Sequence, residues 1–328
     1  MTRRPEIIDF HCHIADPRFF PKEFRDGVVD NMQIALNSRG VPIPRDHIER
    51  MHSSTLRDPW CDKLTAQMDE AGISQAVLLL PDFTKVWPDS SPPLTQLIQH
   101  HREVQNRHPE RFKVFVGVDP RWGPQGAALF EQCLRDEKMD GLKLYPPCGY
   151  SLSDPALYPL YEICREYGVP VLTHIGATTP TLDFECAHPM AVDRAAKDFP
   201  EVDFVLAHGS VHYQAECAML CNNRPNVYVD VSGYQTAGGV AGLCWLLEQG
   251  IAHKLLFATD YPVFGLQGKQ VDFVERMWSA LPNTNAKNTE IELFLSGNAK
   301  RLLSKKKGTN SNTGTSITSK VNHEIRKG

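Results

Sequence analysis

The amino-acid sequence predicts a (β/α)8 barrel, the α/β fold also called a TIM barrel, with an insertion after strand 1. Three observations predict it: eight apolar, strand-like runs, helical segments between them, and unusual polar side chains where several runs end. Strict alternation of strands and helices is typical of a parallel sheet, and eight strands close such a sheet into a barrel. A doubly wound sheet usually carries a glycine-rich turn after its first strand, and this chain has none there.

The predicted strands are short runs of apolar residues. In chain order they cover residues 7–14, 75–81, 112–120, 140–147, 169–176, 202–210, 226–234 and 254–262. Runs such as FKVFVGVDP and NVYVDVSGY are rich in the β-branched and aromatic residues that favour strands. These eight runs are expected to form the wall of the barrel.

Segments in which apolar residues recur with helical spacing separate the strands. They cover 61–72, 94–110, 123–138, 153–168, 189–200, 212–225, 240–250, about 270–280 and 289–303. Several begin with Ser, Asp or Pro and end at Gly or before Pro, as capped helices do. On the polar segment 94–110 we expect His100, His101 and His108 to be exposed, like His253 before the last strand.

Two stretches interrupt the alternation. Residues 15–60 are too long for a loop and rich in Pro, Arg and His, which predicts an insertion over the active-site face of the barrel. A shorter stretch, 176–190, follows the fifth strand. The predicted organisation is one barrel domain over 1–303 and a disordered Ser/Thr/Lys-rich tail over 304–328, which lacks apolar periodicity.

Composition and charge limit the classes of function. The chain carries −4 overall and its last 25 residues carry +5, so residues 1–303 carry −9, which gives no reason to expect a nucleic-acid partner. No apolar run approaches the length of a membrane span, so no membrane partner is expected. Nine scattered cysteines without a CxxC pair fit a reducing, cytoplasmic location.

Polar side chains gather at the ends of the predicted strands, on the face where barrels keep their active sites. They are His11 and His13 on strand 1, Lys143 on strand 4, His174 on strand 5, His208 on strand 6 and Asp260 on strand 8. A single buried histidine is more often a core residue than a ligand. The prediction of a site depends on the coincidence of all six side chains at one layer.

The HxH pair is the strongest local signal. Alternation along a strand puts His11 and His13 on one face and Cys12 on the other. With His174 and Asp260 they offer three nitrogens and one carboxylate oxygen, a donor set that suits Zn²⁺ or a similar divalent ion.

The ordered set HxH, Lys, His, His and Asp resembles the amidohydrolase superfamily of metal-dependent hydrolases. More narrowly, GLKLYPP, LTHIG, VLAHGS and FATDYP resemble the amidohydrolase-related branch. That branch includes aminocarboxymuconate semialdehyde decarboxylase, resorcylate-type decarboxylases and pyrone-dicarboxylate lactonase. The resemblance spans roughly residues 6–303 and identifies the superfamily better than the reaction.

The resemblance implies that His11, His13, His174 and Asp260 hold one catalytic ion, expected to be Zn²⁺, with a second ion left open. His208 would bind that second ion or donate a hydrogen bond to the substrate. Lys143 matches a position that some members carboxylate to bridge two metals. Otherwise it binds an anionic substrate directly or is structural.

The sequence favours hydrolysis of an amide, ester or lactone by metal-activated water. Asp260 would accept the proton of the water and return it to the leaving group, and His208 would donate to the developing oxyanion. The alternative is non-oxidative decarboxylation of an aromatic or muconate-like acid, with a proton delivered by Asp260 or His208. A third possibility is a non-catalytic barrel that retains a metal site.

The substrate is expected to be a small, carboxylate-bearing molecule bound by Lys143, Tyr145 and Arg57. Among the basic residues of the insertion, an arginine that reached the pocket would favour a carboxylate, because the guanidinium matches it bidentately. Tyr150, Thr178 and Tyr261 also follow strand ends. The assembly is left open between a monomer and a homodimer.

Overall fold

The protein is described here by a computed structural model, which covers residues 4–236 and 238–304. Eight strands pair in parallel in the order of the sequence. They are β1 (Ile7–Cys12), β2 (Ile73–Leu80), β3 (Phe112–Gly117), β4 (Gly141–Leu144), β5 (Val171–Thr173), β6 (Phe204–Leu206), β7 (Val227–Asp230) and β8 (Leu255–Leu256). The backbone N–H of Phe10 donates to the carbonyl of Phe257 across 2.9 Å, so the first strand also meets the last. The predicted (β/α)8 barrel is confirmed.

Helices surround the sheet; the first two lie within the predicted insertion, and the others fall on predicted helical segments. They are α1 (Lys22–Ser38), α2 (Arg45–Thr55), α3 (Asp62–Ala71), α4 (Leu94–Arg107), α5 (Gly123–Arg135), α6 (Tyr158–Tyr167), α7 (Val192–Asp198), α8 (Gln214–Asn223), α9 (Gly239–Glu248), α10 (Gln270–Ala280), α11 (Asn288–Glu292) and α12 (Asn298–Leu303). One π-helical turn, Leu293–Gly297, joins the last two. Most strands are shorter than predicted, because the apolar runs continue into the loops that build the top of the barrel.

Apolar side chains pack in two layers. One cluster fills the inside of the barrel and includes Phe10, Leu79 and Phe115. A larger cluster lies between the sheet and the helices and includes Cys12. The pairing of β1 with β2 shifts register between Asp9 and Cys12. This irregularity changes the phase of β1, so that side chains beyond Phe10 no longer follow simple alternation.

The segment between β1 and α3 forms a short 3₁₀ turn, Pro17–Phe19, and the helices α1 and α2. Phe19 packs its ring against His101, with centroids 4.9 Å apart and nearly perpendicular planes. His100 and His101 are consequently buried, so their predicted exposure is wrong. The sequence of α4 is polar by composition, but the insertion covers this part of it. His108 is half-buried, and His253 is exposed as expected.

Two further features concern the chain as a whole. All nine cysteines lie in the described part and none forms a disulfide. Among the described residues, no helix is both long and apolar enough to span a bilayer. The predicted tail beyond Ser304 lies outside the described residues.

Candidate metal centre

The barrel brings the six predicted polar side chains into one cavity at the carboxyl ends of the strands. Each of them is at most 7% exposed. His11 and His13 come from the end of β1, and Lys143 from within β4. His174 directly follows β5, and His208 is separated from the end of β6 by one residue. Asp260 lies in the loop after β8.

The first part of the cluster consists of His11, His13 and Asp260. The Nε2 atoms of both histidines lie 3.3 Å from Asp260 Oδ1. The Nδ1 of His13 lies 2.8 Å from the carbonyl oxygen of Leu79, which can only accept, so this nitrogen carries the hydrogen. The Nδ1 of His11 lies 2.8 Å from a carboxylate oxygen of Asp230. Both Nε2 atoms therefore turn lone pairs toward the Asp260 carboxylate.

Lone pairs that converge in this way repel one another unless a cation lies between them. Donors around a tetrahedral Zn²⁺ with bonds of 2.0–2.1 Å are separated by about 3.4 Å. The separations between Asp260 Oδ1 and the two Nε2 atoms match that value. The chemistry of the donor set and its spacing both fit a divalent metal ion.

His174 and His208 complete the cluster. The Nδ1 of His174 lies 3.1 Å from Nε2 of His208, and the Nε2 of His174 is buried without a hydrogen-bond partner in the described part of the chain. The Nδ1 of His208 lies 2.8 Å from Ser232 Oγ. One set of ligand atoms, from His11, His208 and Asp260, lies within 4.8 Å of one another. By distance alone, His208 is therefore a candidate ligand beside the predicted His174.

Burial dominates the electrostatics of the centre. It lowers the pKa values of His11, His174 and His208 well below the usual range for histidine, which keeps these rings neutral. Burial also raises the pKa of Asp260, against the opposing effect of His13. Neutral imidazoles bind metal ions, and a carboxyl with a raised pKa can hold a proton.

Lys143 is the basic group of the cavity. Its Nζ is buried and has no hydrogen-bond partner among the residues that the structure describes. Burial lowers its pKa to about 8, although Asp230 and Asp260 favour the charged form. A buried amine of this kind is costly to keep without an anionic partner.

The backbone of the centre is strained at two residues of the cluster. His208 and Asp260 have φ angles of 63° and 57°, in the left-handed region that non-glycine residues rarely adopt. The N–H of Asp260 donates to the carbonyl of His11 across 2.7 Å. The buried Asp9 carboxylate accepts from the N–H of Thr259 across 2.9 Å. These bonds hold the loop after β8 against β1.

The cavity above the centre has a volume of about 410 Å³, in the range of small-molecule sites. Aromatic rings form much of its wall. The Phe83 ring lies 5.1 Å from the rings of both Phe24 and Tyr145. Tyr145 stacks on His174 with centroids 4.5 Å apart. The wall is therefore suited to a planar, apolar group held next to the polar cluster.

Helix α1 of the insertion closes the cavity. Phe24, Val28 and Asn31 lie on one face of this helix and line the cavity. The Nδ2 of Asn31 donates to the carbonyl of Thr178 across 2.8 Å. A Cβ added to Gly27 would lie only 2.6 Å from the Cβ of Thr179, so the helix sits directly on the loop after β5.

Thr178 also connects this loop to the wall. Its Oγ1 lies 2.5 Å from the hydroxyl of Tyr145. Tyr145 and Thr178 therefore line the cavity as expected, whereas Tyr150 and Tyr261 are buried outside its lining.

Arg57 does not reach the cavity. It is exposed and absent from the lining, so its predicted role in substrate binding stays a prediction without support from the position of the side chain. Of the residues that the structure describes, no arginine lines the cavity, and Lys143 is its single lysine. The insertion contributes apolar side chains to the site instead of cations.

Two residues of the centre were missed by the sequence analysis. Asp230 and Ser232 are completely buried and contact the rings of His11 and His208. A usable signal existed, since Asp230 lies within the seventh predicted strand, as Lys143 does within the fourth, and it ends β7 in the structure. What the sequence lacked was a reason to treat a lone Asp as part of the same cluster.

Fold and site together define a metal-binding barrel of the amidohydrolase type. The family model described as "Amidohydrolase" matches residues 8–305, and the chain belongs to this family. The comparison with curated proteins found no match.

Solved structures with the same fold carry several activities. An uncharacterised barrel protein, Bb4693 from Bordetella bronchiseptica, is 24% identical over 91% of this chain and 98% of its own, with a TM-score of 0.66. The manganese-bound 5-carboxyvanillate decarboxylase from Novosphingobium aromaticivorans is 14% identical over 92% and 97%, with a TM-score of 0.62. The 4-oxalomesaconate hydratase from Rhodopseudomonas palustris is 20% identical over 90% and 95%, with a TM-score of 0.57. At these identities the similarity demonstrates the fold alone.

Proposed function

We propose that this protein is a metal-dependent, non-oxidative decarboxylase of a small aromatic or muconate-like acid. The observation that carries the proposal is the pairing of two features in one cavity. An unpartnered buried amine, Lys143, lies beside the histidine and aspartate cluster, and a wall of aromatic rings faces them. A planar molecule with a carboxylate satisfies both.

The surroundings of His208 favour decarboxylation over the hydrolysis expected from the sequence. Hydrolysis by that route requires His208 to donate to a developing oxyanion. Its Nδ1 and Nε2 instead lie 2.8 Å from Ser232 Oγ and 3.1 Å from His174 Nδ1. Both ring nitrogens are thus used within the protein, and neither is free to donate into the cavity.

Asp260 is the proposed proton donor. Burial raises its pKa, and its Oδ1 is the oxygen 3.3 Å from the Nε2 atoms of His11 and His13, which leaves Oδ2 to carry the proton. The proton on Oδ2 passes to the substrate carbon that bears the carboxylate, and the electron pair of the breaking carbon–carbon bond returns to the conjugated system. Carbon dioxide leaves, and Asp260 regains a proton from solvent.

Other residues bind and orient the acid. Lys143 pairs with the anionic end, and Phe24, Phe83 and Tyr145 hold the ring. The apolar wall disfavours the charged carboxylate relative to neutral carbon dioxide, which lowers the barrier to its loss. A divalent ion held by His11, His13, His174 and Asp260 would supply, when bound, a Lewis-acidic centre for the carboxylate and a neighbouring oxygen. Zn²⁺ stays the predicted ion, and Mn²⁺ suits the same nitrogen and oxygen donors.

Hydrolysis of an ester, amide or lactone is the second candidate. One observation favours it: Lys143 stands where carboxylated lysines occur in the superfamily, and a pKa of about 8 leaves part of the amine uncharged and able to react with carbon dioxide. Crystallographic density at Nζ would decide whether the carbamate forms. A cytoplasmic location and a homodimer stay predictions.

The test follows two products from one panel of substrates. The protein loaded with Zn²⁺ or Mn²⁺ is incubated with hydroxybenzoate-type acids, lactones and N-acyl amides, and carbon dioxide and acid release are measured separately. We expect carbon dioxide release, lowered about 10²–10⁴-fold in Asp260→Asn, the range for loss of a general acid. Asp119→Asn is the matched control, since Asp119 is equally buried but lies outside the cavity.

Two results would contradict the proposal. Acid release without carbon dioxide would favour the hydrolase. A fully metallated protein that turns over nothing in the panel would favour the non-catalytic barrel.

A further inference from the structure

The carboxylate of Asp230, at the end of β7, lies behind the metal centre and is 0% exposed. Its Oδ1 accepts from the backbone N–H groups of His208 and Ser232, at 3.1 and 3.0 Å, and from the Ser232 hydroxyl. Its Oδ2 lies 2.8 Å from Nδ1 of His11. An ionised carboxylate can only accept hydrogen bonds, so every partner must supply a hydrogen. This requirement determines which nitrogens of the nearby rings are protonated.

Two paths of hydrogen bonds start at the Asp230 carboxylate. The first, called here the direct arm, leads from Oδ2 to His11. Its Nδ1 is nearer to Asp230 than to Ser232 Oγ, at 2.8 against 3.4 Å, so its hydrogen goes to the carboxylate. The ring is neutral, and Nε2 therefore keeps its lone pair. That lone pair faces Asp260 Oδ1 across 3.3 Å, where the metal ion is expected.

The second path, called here the indirect arm, leads from Oδ1 of Asp230 through Ser232 and His208 to His174. The hydroxyl hydrogen of Ser232 is committed to Asp230, so Ser232 Oγ can only accept from Nδ1 of His208 at 2.8 Å. His208 then has its hydrogen on Nδ1 and a lone pair on Nε2.

The chain of hydrogen bonds ends at His174. The lone pair on Nε2 of His208 must accept from Nδ1 of His174 at 3.1 Å. This leaves a lone pair on Nε2 of His174, a buried atom for which the described residues offer no hydrogen-bond partner. The two arms thus end on two lone pairs, both inside the metal centre.

We propose that Asp230 is a positioning residue that sets the tautomers of three histidines: His11 directly, and His208 and His174 through Ser232. In this arrangement His11 and His174 are Nδ1–H tautomers that offer Nε2 to the metal. His208 uses both nitrogens within the protein and acts as a spacer, not a ligand. A carboxylate behind a metal-binding histidine is a known device, and here one carboxylate serves two ligands.

Two substitutions separate the arms. Asp230→Asn leaves one acceptor oxygen and one NH₂ group. Because three hydrogen-bond donors converge on the Oδ1 side, the oxygen stays there and the NH₂ group faces His11. His11 must then accept at Nδ1 and carry its hydrogen on Nε2, toward Asp260. Ser232→Ala breaks only the indirect arm, so His11 is unchanged while His208 and His174 lose their fixed tautomers.

The first measurement is ¹⁵N NMR of histidine-labelled, metal-free full-length protein, since ring nitrogen shifts distinguish the two tautomers. Single His11→Gln and His174→Gln variants assign the signals. We expect Nδ1–H at His11, His174 and His208 in the wild type. The His11 signal should change to Nε2–H only in Asp230→Asn. The His208 and His174 signals should lose the Nδ1–H pattern only in Ser232→Ala.

The second measurement is the dissociation constant for Zn²⁺, obtained by competition with a chelating dye. We expect a 10–100-fold weaker constant for Asp230→Asn, the range for loss of a partner of a metal-binding histidine. Ser232→Ala should weaken binding about 2–12-fold, the range for one neutral hydrogen bond. Ser210→Ala is the matched control, because Ser210 is equally buried but donates only to backbone carbonyls, those of Val231 and Ser232, and to no side chain of the two arms.

The proposal is overturned if Asp230→Asn keeps the Nδ1–H signal of His11 and the wild-type Zn²⁺ constant. If that variant does not fold, Ser232→Ala decides alone, and an unchanged His174 signal in it would refute the indirect arm. Neither measurement depends on turnover, so failure of the proposed decarboxylase function would not affect the result.

Discussion

The contact between Gly27 of α1 and the loop after β5 allows a prediction about substrate binding. A Cβ at position 27 would lie 2.6 Å from the Cβ of Thr179 and 3.1 Å from its Oγ1. Carbon atoms in contact normally stay about 3.5–4.0 Å apart, so Gly27→Ala must move α1 outward by roughly 1 Å. Because Phe24 and Asn31 lie on the same helix, the aromatic wall and the bond to Thr178 move with it.

The magnitude follows from opposing effects. Alanine in place of glycine favours the helix by about 1 kcal/mol. Overpacking costs about 1–3 kcal/mol. The free energy of unfolding should therefore fall by about 0–2 kcal/mol. Loss of the hydrogen bond between Asn31 and Thr178 should destabilise the position of α1 over the cavity by about 0.5–1.5 kcal/mol. If substrate binds only with α1 in that position, KM rises about 2–12-fold.

Gly126→Ala is a matched control for this experiment. A Cβ at position 126 would lie 2.6 Å from Trp122 Cβ and 2.8 Å from Val118 Cγ1, an equally close contact between α5 and the segment after β3, outside the cavity. Urea denaturation should show similar losses of stability for both variants, whereas steady-state kinetics with the substrate found in the panel should show a raised KM only for Gly27→Ala. Equal KM values for the two variants would refute the role of α1 as the roof of the site.

Two further predictions concern metal removal and pH. Chelation should lower the free energy of unfolding by about 2.7 kcal/mol relative to protein with free Zn²⁺ at 100 times its Kd. If chelation lowers the free energy of unfolding of the His11→Ala/His13→Ala double variant by the same amount, the proposed site is excluded. Burial lowers the pKa of His101 to about 3, so the unfolded chain, with a pKa near 6.5, binds the proton first as pH falls. The free energy of unfolding should therefore decrease by about 2 kcal/mol as the pH falls from 6.5 to 5 because of this group. Urea titrations at several pH values should show that the free energy of unfolding of His101→Gln depends less steeply on pH than that of the wild type. An identical dependence in the two proteins would contradict the assignment.

The sequence by itself determined the architecture. Apolar runs of strand length alternate with helical segments eight times, and both signals are local, so they can be recognised without knowledge of contacts. The same holds for the chemistry of the centre. HxH on the first strand and single polar residues on later strands, such as His174 and Asp260, identify the donor types and the layer that they occupy.

Local signals failed where burial depends on distant segments. His101 lies on a helix that is polar by composition, yet Phe19 from the insertion covers it. Arg57 belongs to a basic segment, yet that segment turns Phe24 and Asn31 to the cavity and leaves Arg57 exposed. No period within either segment could reveal which side the fold would cover.

The direction of the His11 and His13 side chains also depends on the tertiary structure. Simple alternation from Phe10, which points into the barrel, would send His11 and His13 outward. The register shift between Asp9 and Cys12 reverses the phase, so Cys12 packs in the outer layer and the histidines line the cavity.

The same holds for the pairing of Asp230 with His11, which are 219 residues apart and meet only because β7 and β1 stand in one closed barrel. The sequence specifies which donors are present and on which strands they stand. Their convergence depends on ring closure and strand register, which arise from long-range contacts and leave no periodic trace in the chain.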